Sequence, residues 1–207
     1  MKAIPREVLS NKDPVETTRR PLFGRVDQNV LKAYLFGALH DGTFNKKHKT
    51  SRIAQSNKHW LVLLQKVLKK LGHNAWIYAE GKDRTVSVIE TTAPFLQNNV
   101  QPCQLVTAEE QIAYIRGYFD AEGGIPKDNK HWMYIQLSQK NYDELAQIVV
   151  ILESLGVHCG KIHNPSKKVD PEYWRFFISR RSHDDFIKII GSWHPRKMKL
   201  LAHRVKI

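Results

Sequence analysis

Cysteine is nearly absent from this chain. Cys103 and Cys159 are the only two among 207 residues. That is too few for a disulfide framework or a cysteine zinc site, so a reducing compartment is expected. No apolar run approaches the roughly 18 residues of a membrane span. The first 23 residues also lack the continuous apolar stretch of a secretion signal. The expectation is a soluble intracellular protein that is not secreted and has no membrane partner. Acidic residues are scarce too: 20 Asp and Glu stand against 33 Lys and Arg, a formal charge of +13. Such an excess points to a polyanion, most commonly nucleic acid; a basic solvated surface is the plainer alternative. The 42% apolar fraction, with 5 Trp, 7 Tyr and 8 Phe, suffices for a core. The length fits one large domain or two small fused ones.

Against that basic background, two stretches say nearly the same thing. Residues 33–42 read AYLFGALHDG and residues 113–123 read AYIRGYFDAEG. Each is an apolar helical run with an internal glycine, ending in an acid followed by Gly. The surroundings repeat as well. Gln55 and Gln139, Leu68 and Leu152, and Gly72 and Gly156 are all separated by 84 positions, whereas Asp41 and Glu122 are separated by 81. The repeats therefore differ by three residues in the loop after the acid, where insertions are tolerated.

In the first repeat the pattern predicts a helix over 30–42, a basic stretch over 46–49, a strand over 50–54, a helix over 58–71, and a hairpin from 76–78 to 85–89. In the second it predicts a helix over 109–122, a loop over 125–130, a strand over 132–138, a helix over 142–155, a hairpin from 160–162 to 173–178, and a helix over 182–191. An irregular tail follows. Residues 1–28 carry Pro5, Pro14 and Pro21 and read as an N-terminal arm. The expected organisation is arm 1–28, repeat one 29–96, linker 97–108 and repeat two 109–207.

At GYFDAEG, residues 117–123, the chain resembles the LAGLIDADG homing endonucleases position by position: glycine, two apolar residues, acid, small residue, acid, glycine. The first copy, GALHDG at 37–42, is one residue shorter between its glycine and its acid. The resemblance covers about 30–203. It implies an α+β fold of two pseudo-symmetric αββαββα units with saddle-shaped antiparallel sheets, in one monomeric chain. It also implies that Asp41 and Glu122 are catalytic, metal-binding acids, helped by the backbone carbonyls of His40 and Ala121.

Elementary chemistry agrees with paired acids. A carboxylate at a helix C-terminus faces partial negative charge, and two such carboxylates repel each other. A divalent cation offsets both effects, and oxygen ligands with room for water and phosphate suit Mg2+, for which Mn2+ substitutes. An acid followed by glycine is also a common way to end a helix, so the weight rests on the pair. Gln55 and Gln139, at the strand-to-helix turns, match the family glutamine that helps position water. Lys197 and Lys199 match a family basic residue near the reacting phosphate, and spacing leaves open which of the two serves. Asp120, two residues before Glu122, points to another helix face and reads as a structural polar residue.

Strand alternation places Lys130, Trp132, Tyr134, Gln136 and Ser138 outward in the second repeat. The corresponding outward set in the first is Lys46, His48, Thr50 and Arg52. Several of these side-chain types read base edges in the major groove. Lys82, Arg84, Lys161, Lys167, Lys168 and Arg175 lie in or beside the second hairpins and read as phosphate contacts. The leading function is a metal-dependent endonuclease cutting both strands of a long DNA site. In the family that site is about 20 base pairs, roughly 70 Å of duplex at 3.4 Å per pair. Two alternatives use the same fold: an intron-RNA maturase, and a DNA-binding regulator that does not cut.

Overall fold

A computed structural model of the chain describes residues 27–81, 85–128 and 130–203. Residues 1–26 of the expected N-terminal arm, Lys82 and Arg84 lie outside the described residues, and the last two arm residues, Asp27 and Gln28, begin the first helix instead.

The first repeat runs α1 (Gln28–Ala38), β1 (Gly42–Asn45), β2 (Thr50–Gln55), α2 (Lys58–Lys70), β3 (Ala75–Ala79) and β4 (Ser87–Thr91). The strands form one antiparallel sheet in the order β1-β2-β4-β3. Asp27 starts α1 by accepting from the Asn29 amide, and Asn57 starts α2 by accepting from that of His59. One face of α2 buries Trp60, Leu61, Leu64, Val67 and Leu68, each contributing about 1.5–3 kcal/mol of apolar burial. On the sheet, Ser51, Ile53, Ile89 and Thr91 are buried against this core. The alternate positions Arg52, Glu90, Trp76 and Tyr78 therefore face outward.

The second repeat runs α3 (Ala108–Glu122), β5 (Gln136–Gln139), α4 (Tyr142–Ser154), β6 (Trp174–Phe177), α5 (His183–Ile189) and α6 (Pro195–Ala202). Thr107 and Glu110 form a capping box at the start of α3. β5 pairs with β6, and single bridges extend the pairing at Gly124–Gln136, Cys159–Ile178 and His163–Arg175. The α+β, two-unit architecture is as expected, and one continuous apolar core joins the repeats.

Four local expectations differ from the structure. The helix expected over 30–42 is an α-helix to Ala38 followed by a 3-10 turn, Leu39–Asp41. β1 precedes the expected first strand, and residues 46–49 form the turn between them, with Asn45 accepting from the Lys47 and His48 amides at 3.1 and 3.2 Å. The strand expected over 132–138 is regular only in Gln136–Gln139. Its neighbour at Gly124 runs into Pro126, which has no N–H to continue a ladder. The expected tail is α6, with Pro195 at its first turn and His194 accepting from the Arg196 amide at 3.2 Å.

Candidate active site

α1 and α3 pack against each other more extensively than any other pair of elements, and they cross at two glycines. A Cβ placed on Gly117 would lie 2.0 Å from the Tyr34 carbonyl oxygen, and one on Gly37 would lie 2.1 Å from that of Tyr114. Tyr34 and Tyr114, like Gly37 and Gly117, are 80 positions apart. The contact is therefore reciprocal, as a two-fold relation between repeats requires.

From this crossing the chain reaches its two acids by different routes. Gly117 to Glu122 is five α-helical steps, about 7.5 Å of rise and 500° of rotation. Gly37 to Asp41 is four steps, the last three in the 3-10 turn. One α step plus three 3-10 steps also rise about 7.5 Å, through about 460°. The tighter turn restores the height that the missing residue would have supplied. Gly42 and Gly123 then leave their helices at ordinary negative φ, −110° and −73°. Space demands glycine there: a Cβ would lie 2.7 Å from Leu39 at Gly42 and 2.1 Å from the Phe119 ring at Gly123.

Asp41 and Glu122 are both half-buried, and the Asp41 charge acts on Glu122. Burial is the main cause that lifts the Asp41 carboxyl above the usual carboxylate range; a hydrogen bond from Gln55 and the charge of Lys197 act against it. Burial also lifts Glu122, and the neighbouring Asp41 charge lifts it further. This is the electrostatic condition that a cation relieves. Among the described residues, no three His, Cys, Asp or Glu side chains gather as a metal cluster. Two carboxylates offer few side-chain ligands, which suits Mg2+ when water and phosphate fill its remaining positions.

Of the two candidate lysines, Lys197 lies at this centre and Lys199 is exposed on α6. The Lys197 ammonium is buried at the C-terminal end of α3. It donates to the carbonyls of Phe119, Asp120 (3.0 Å) and Gly123 (2.6 Å). Burial pushes its pKa down to about 8, while the charges of Asp120, Glu122 and Asp41 pull it back up. As placed, its protons satisfy the Asp120 and Gly123 carbonyls that the helix end leaves unpaired and share the Phe119 carbonyl with the Gly123 amide, so it braces the helix that carries Glu122. Lys197→Met orphans two acceptors, the carbonyls of Asp120 and Gly123, because the Gly123 amide still donates to Phe119 at 2.9 Å. At about 1 kcal/mol each, the low end for such groups, Tm falls by roughly 4–8 °C; calorimetry reads this directly.

Asp120 has the structural role expected of it. It is 2% exposed and accepts from the Tyr34 hydroxyl at 2.7 Å, the Ser192 hydroxyl, and the Trp193 and His194 amides at 2.9 and 3.0 Å. These bonds hold the segment before α6 against α3 and so deliver Lys197.

Gln55 donates to Asp41, within its own repeat. Gln139 does not mirror it: its amide nitrogen lies 3.2 Å from His40 Nδ1, across the repeat boundary. The His40 side chain, absent from the sequence-derived site, thus enters the centre. Only its spacing from Asp41 pointed there.

Lys46, His48, Lys130, Lys161, Lys167 and Lys168 are exposed. Trp132 is 84% exposed with the Arg180 guanidinium 5.8 Å above its ring. Tyr134, Gln136, Ser138 and Arg175 lie on or beside the outer face of β5 and β6, where Ser138 pairs with Arg175 and Arg175 lies over Phe177. Thr50 corrects the expected outward set. It is 3% exposed and donates to Glu90, because Glu90, Tyr78 and Arg52 close over it. Tyr78 donates to Glu90 at 2.8 Å, and Arg52 reaches Glu80 at 3.3 Å. Trp76, Tyr78, Glu80 and Glu90 were missed from the sequence because the unit-one outer face was read from β2 alone.

Comparison with known proteins places this geometry among known folds. Residues 109–191 match the family model of the LAGLIDADG-like domain. The homing endonuclease I-ApeI of Aeropyrum pernix is 29% identical over 192 residues, covering 81% of this chain and 84% of that protein. The replication factor C small subunit of Methanocaldococcus jannaschii is 26% identical over 97% of this chain, which spans 11% of that protein. Among solved structures, I-DmoI in complex with DNA and Mn superposes with a TM-score of 0.61 at 22% identity, covering 80% of this chain and 98% of that one. Full-length WhiA from Thermatoga maritima superposes at 0.63 with 14% identity, covering 87% of this chain and 62% of that one.

Proposed function

We propose that this chain, which carries a LAGLIDADG-like domain within the two-repeat LAGLIDADG fold, is a metal-dependent endonuclease that cuts both strands of a long, specific DNA site. The observation that carries this reading is the pairing of Asp41 and Glu122, one from each repeat, half-buried at neighbouring helix ends. The I-ApeI relative, named a homing endonuclease, and the I-DmoI structures with DNA and Mn, Mg or Ca support it. The charge of +13 supplies affinity for phosphates, and the outer sheet faces supply side chains for base edges.

In this reading Asp41 and Glu122 hold Mg2+ or Mn2+, with the His40 and Ala121 carbonyls beside them. A divalent cation there activates water and stabilises the leaving oxygen of the phosphodiester. Gln55 orients solvent at Asp41. Lys197 fixes the end of α3, and so the height of Glu122. Exposed lysines flanking the centre grip the backbone on either side of the cut.

Selection from a random DNA library, followed by cleavage with metal, tests the proposal. The expected result is one enriched sequence whose plasmid form is linearised with Mg2+ or Mn2+ and stays intact with EDTA. Enrichment without cutting would support a silent DNA binder, and preference for structured intron RNA a maturase. Affinity should fall steeply with salt as phosphate contacts release counterions.

A further inference from the structure

The polar networks on the two sides of the helix crossing are inverted copies of one another. On one side the Tyr34 hydroxyl donates to Asp120 at 2.7 Å and accepts from the Trp60 indole at 2.9 Å. On the other, Tyr114 donates to Glu144 at 2.5 Å and its hydroxyl lies 2.9 Å from His40 Nε2. Tyr34 corresponds to Tyr114 and His40 to Asp120, both 80 positions apart; Trp60 corresponds to Glu144, 84 apart. On the first side the acid is on the central helix and the ring on the flanking helix. On the second side the two have exchanged places.

The exchange has a chemical result. Glu144 is 3% exposed, and its carboxylate only accepts hydrogen bonds. His40 Nε2 lies 2.8 Å from Glu144 Oε1, so Nε2 carries the proton. In the neutral ring Nδ1 is then an acceptor, and the Gln139 amide 3.2 Å away donates to it. The Gln139 carbonyl is occupied in turn by the Lys140 amide at 2.7 Å. Gln139 is thus fixed at both ends. Gln55, which donates straight to Asp41, has no such tether among the described residues. In repeat two the residue immediately before the acid, as His40 is before Asp41, is Ala121, which has no ring to offer.

We propose that His40 is a strand-specific positioning residue: through Glu144 and Tyr114 it orients Gln139 for the half of the centre built on repeat two, leaving the Gln55 half untouched. This rests on the nuclease reading above.

The test is a strand-resolved cleavage assay on the selected target, with each strand labelled separately. His40→Ala keeps its backbone carbonyl. It should slow cutting of one strand at least tenfold and the other by less than about twofold, so that nicked DNA accumulates. Gln139→Ala should slow the same strand, and Gln55→Ala the opposite one. His40→Asn, whose carbonyl can stand in for Nδ1, should move the strand ratio back towards that of the parent chain. Independently of activity, the Gln139 side-chain amide resonance should shift in His40→Ala protein. Equal slowing of both strands, an unchanged strand ratio, or an unmoved Gln139 resonance would overturn the assignment to His40. Failure of the parent protein to cut its target with metal would instead overturn the nuclease reading, and this assignment with it.

Discussion

Asp41→Asn and Glu122→Gln each give a protein that binds its DNA site with nearly unchanged affinity and cuts it at least ~1,000-fold more slowly. Such a loss is about 4 kcal/mol of transition-state stabilisation, which is what a cation polarising a phosphoryl oxygen supplies. Each substitution removes one of the two charged oxygen ligands proposed above and keeps the side-chain shape. The same variants should melt at higher temperature than the parent at neutral pH without metal. The sign follows from the raised carboxyls. The folded state binds these protons more tightly than the unfolded chain, so their contribution is most favourable below the unfolded pKa. It is lost as pH rises through the folded value. At neutral pH the charges therefore cost stability, and the amides remove that cost. Mg2+ should raise Tm of the parent and not of the variants. Cutting should also fade at a higher pH than an ordinary carboxylate would dictate as the solution is acidified. Cleavage and affinity on one labelled duplex, with calorimetry alongside, read all of these; a variant that still cuts at the parental rate removes that acid from the chemistry.

Gly117→Ala has the largest expected effect on the fold. The new methyl would lie 2.0 Å from the Tyr34 carbonyl oxygen and 2.9 Å from the Ala38 nitrogen. Both are backbone atoms of α1, so no side chain can rotate away and the helices must separate. Overpacking usually costs about 1–3 kcal/mol, and a backbone clash at the central crossing belongs at or above the upper end. The expected outcome is a Tm lower by roughly 10 °C at about 2–4 °C per kcal/mol. Cleavage should drop by about 100-fold even where the protein stays folded, since a 1 Å displacement at a reacting centre has that effect. Gly72→Ala is the control. Gly72 has φ +80° and nothing within 4 Å of an added Cβ, so it costs only the left-handed conformation, about 1 kcal/mol, and leaves cutting unchanged. If Gly117→Ala melts and cuts like Gly72→Ala, the helices are not in contact where described.

The sequence displayed what repeats and what alternates. The two acid-ended helical runs and the spacing of 84 were readable as repetition, and the amphipathic face of α2 and the outward Gln136 and Ser138 of β5 as local periods of about 3.6 and two. Two features escaped because they are short or end-capped. β1 has four residues, Gly-Thr-Phe-Asn, with no buried alternation, and α6 announces itself only by Pro195 after His194. Others escaped because they are long-range. That Lys197 rather than Lys199 reaches α3 follows from the Asp120 bonds to residues 192–194, which no spacing encodes. Thr50 was placed on the outer face, yet Glu90 from a neighbouring strand buries it. The one-residue deficit before Asp41 was visible, but its compensation by a 3-10 turn was not, since the two helix types differ by a small rise per residue. His40 was read only for its backbone, because its partner Glu144 is more than a hundred positions away.

In the proposed nuclease the two repeats share a single cation-binding centre. A crystal of the protein with its selected target and Mn2+, measured at the manganese absorption edge, tests it most directly. Anomalous density between the Asp41 and Glu122 carboxylates, in contact with a phosphate of the DNA, is the predicted result. Manganese bound elsewhere on cut DNA, with the two carboxylates bare, would contradict it.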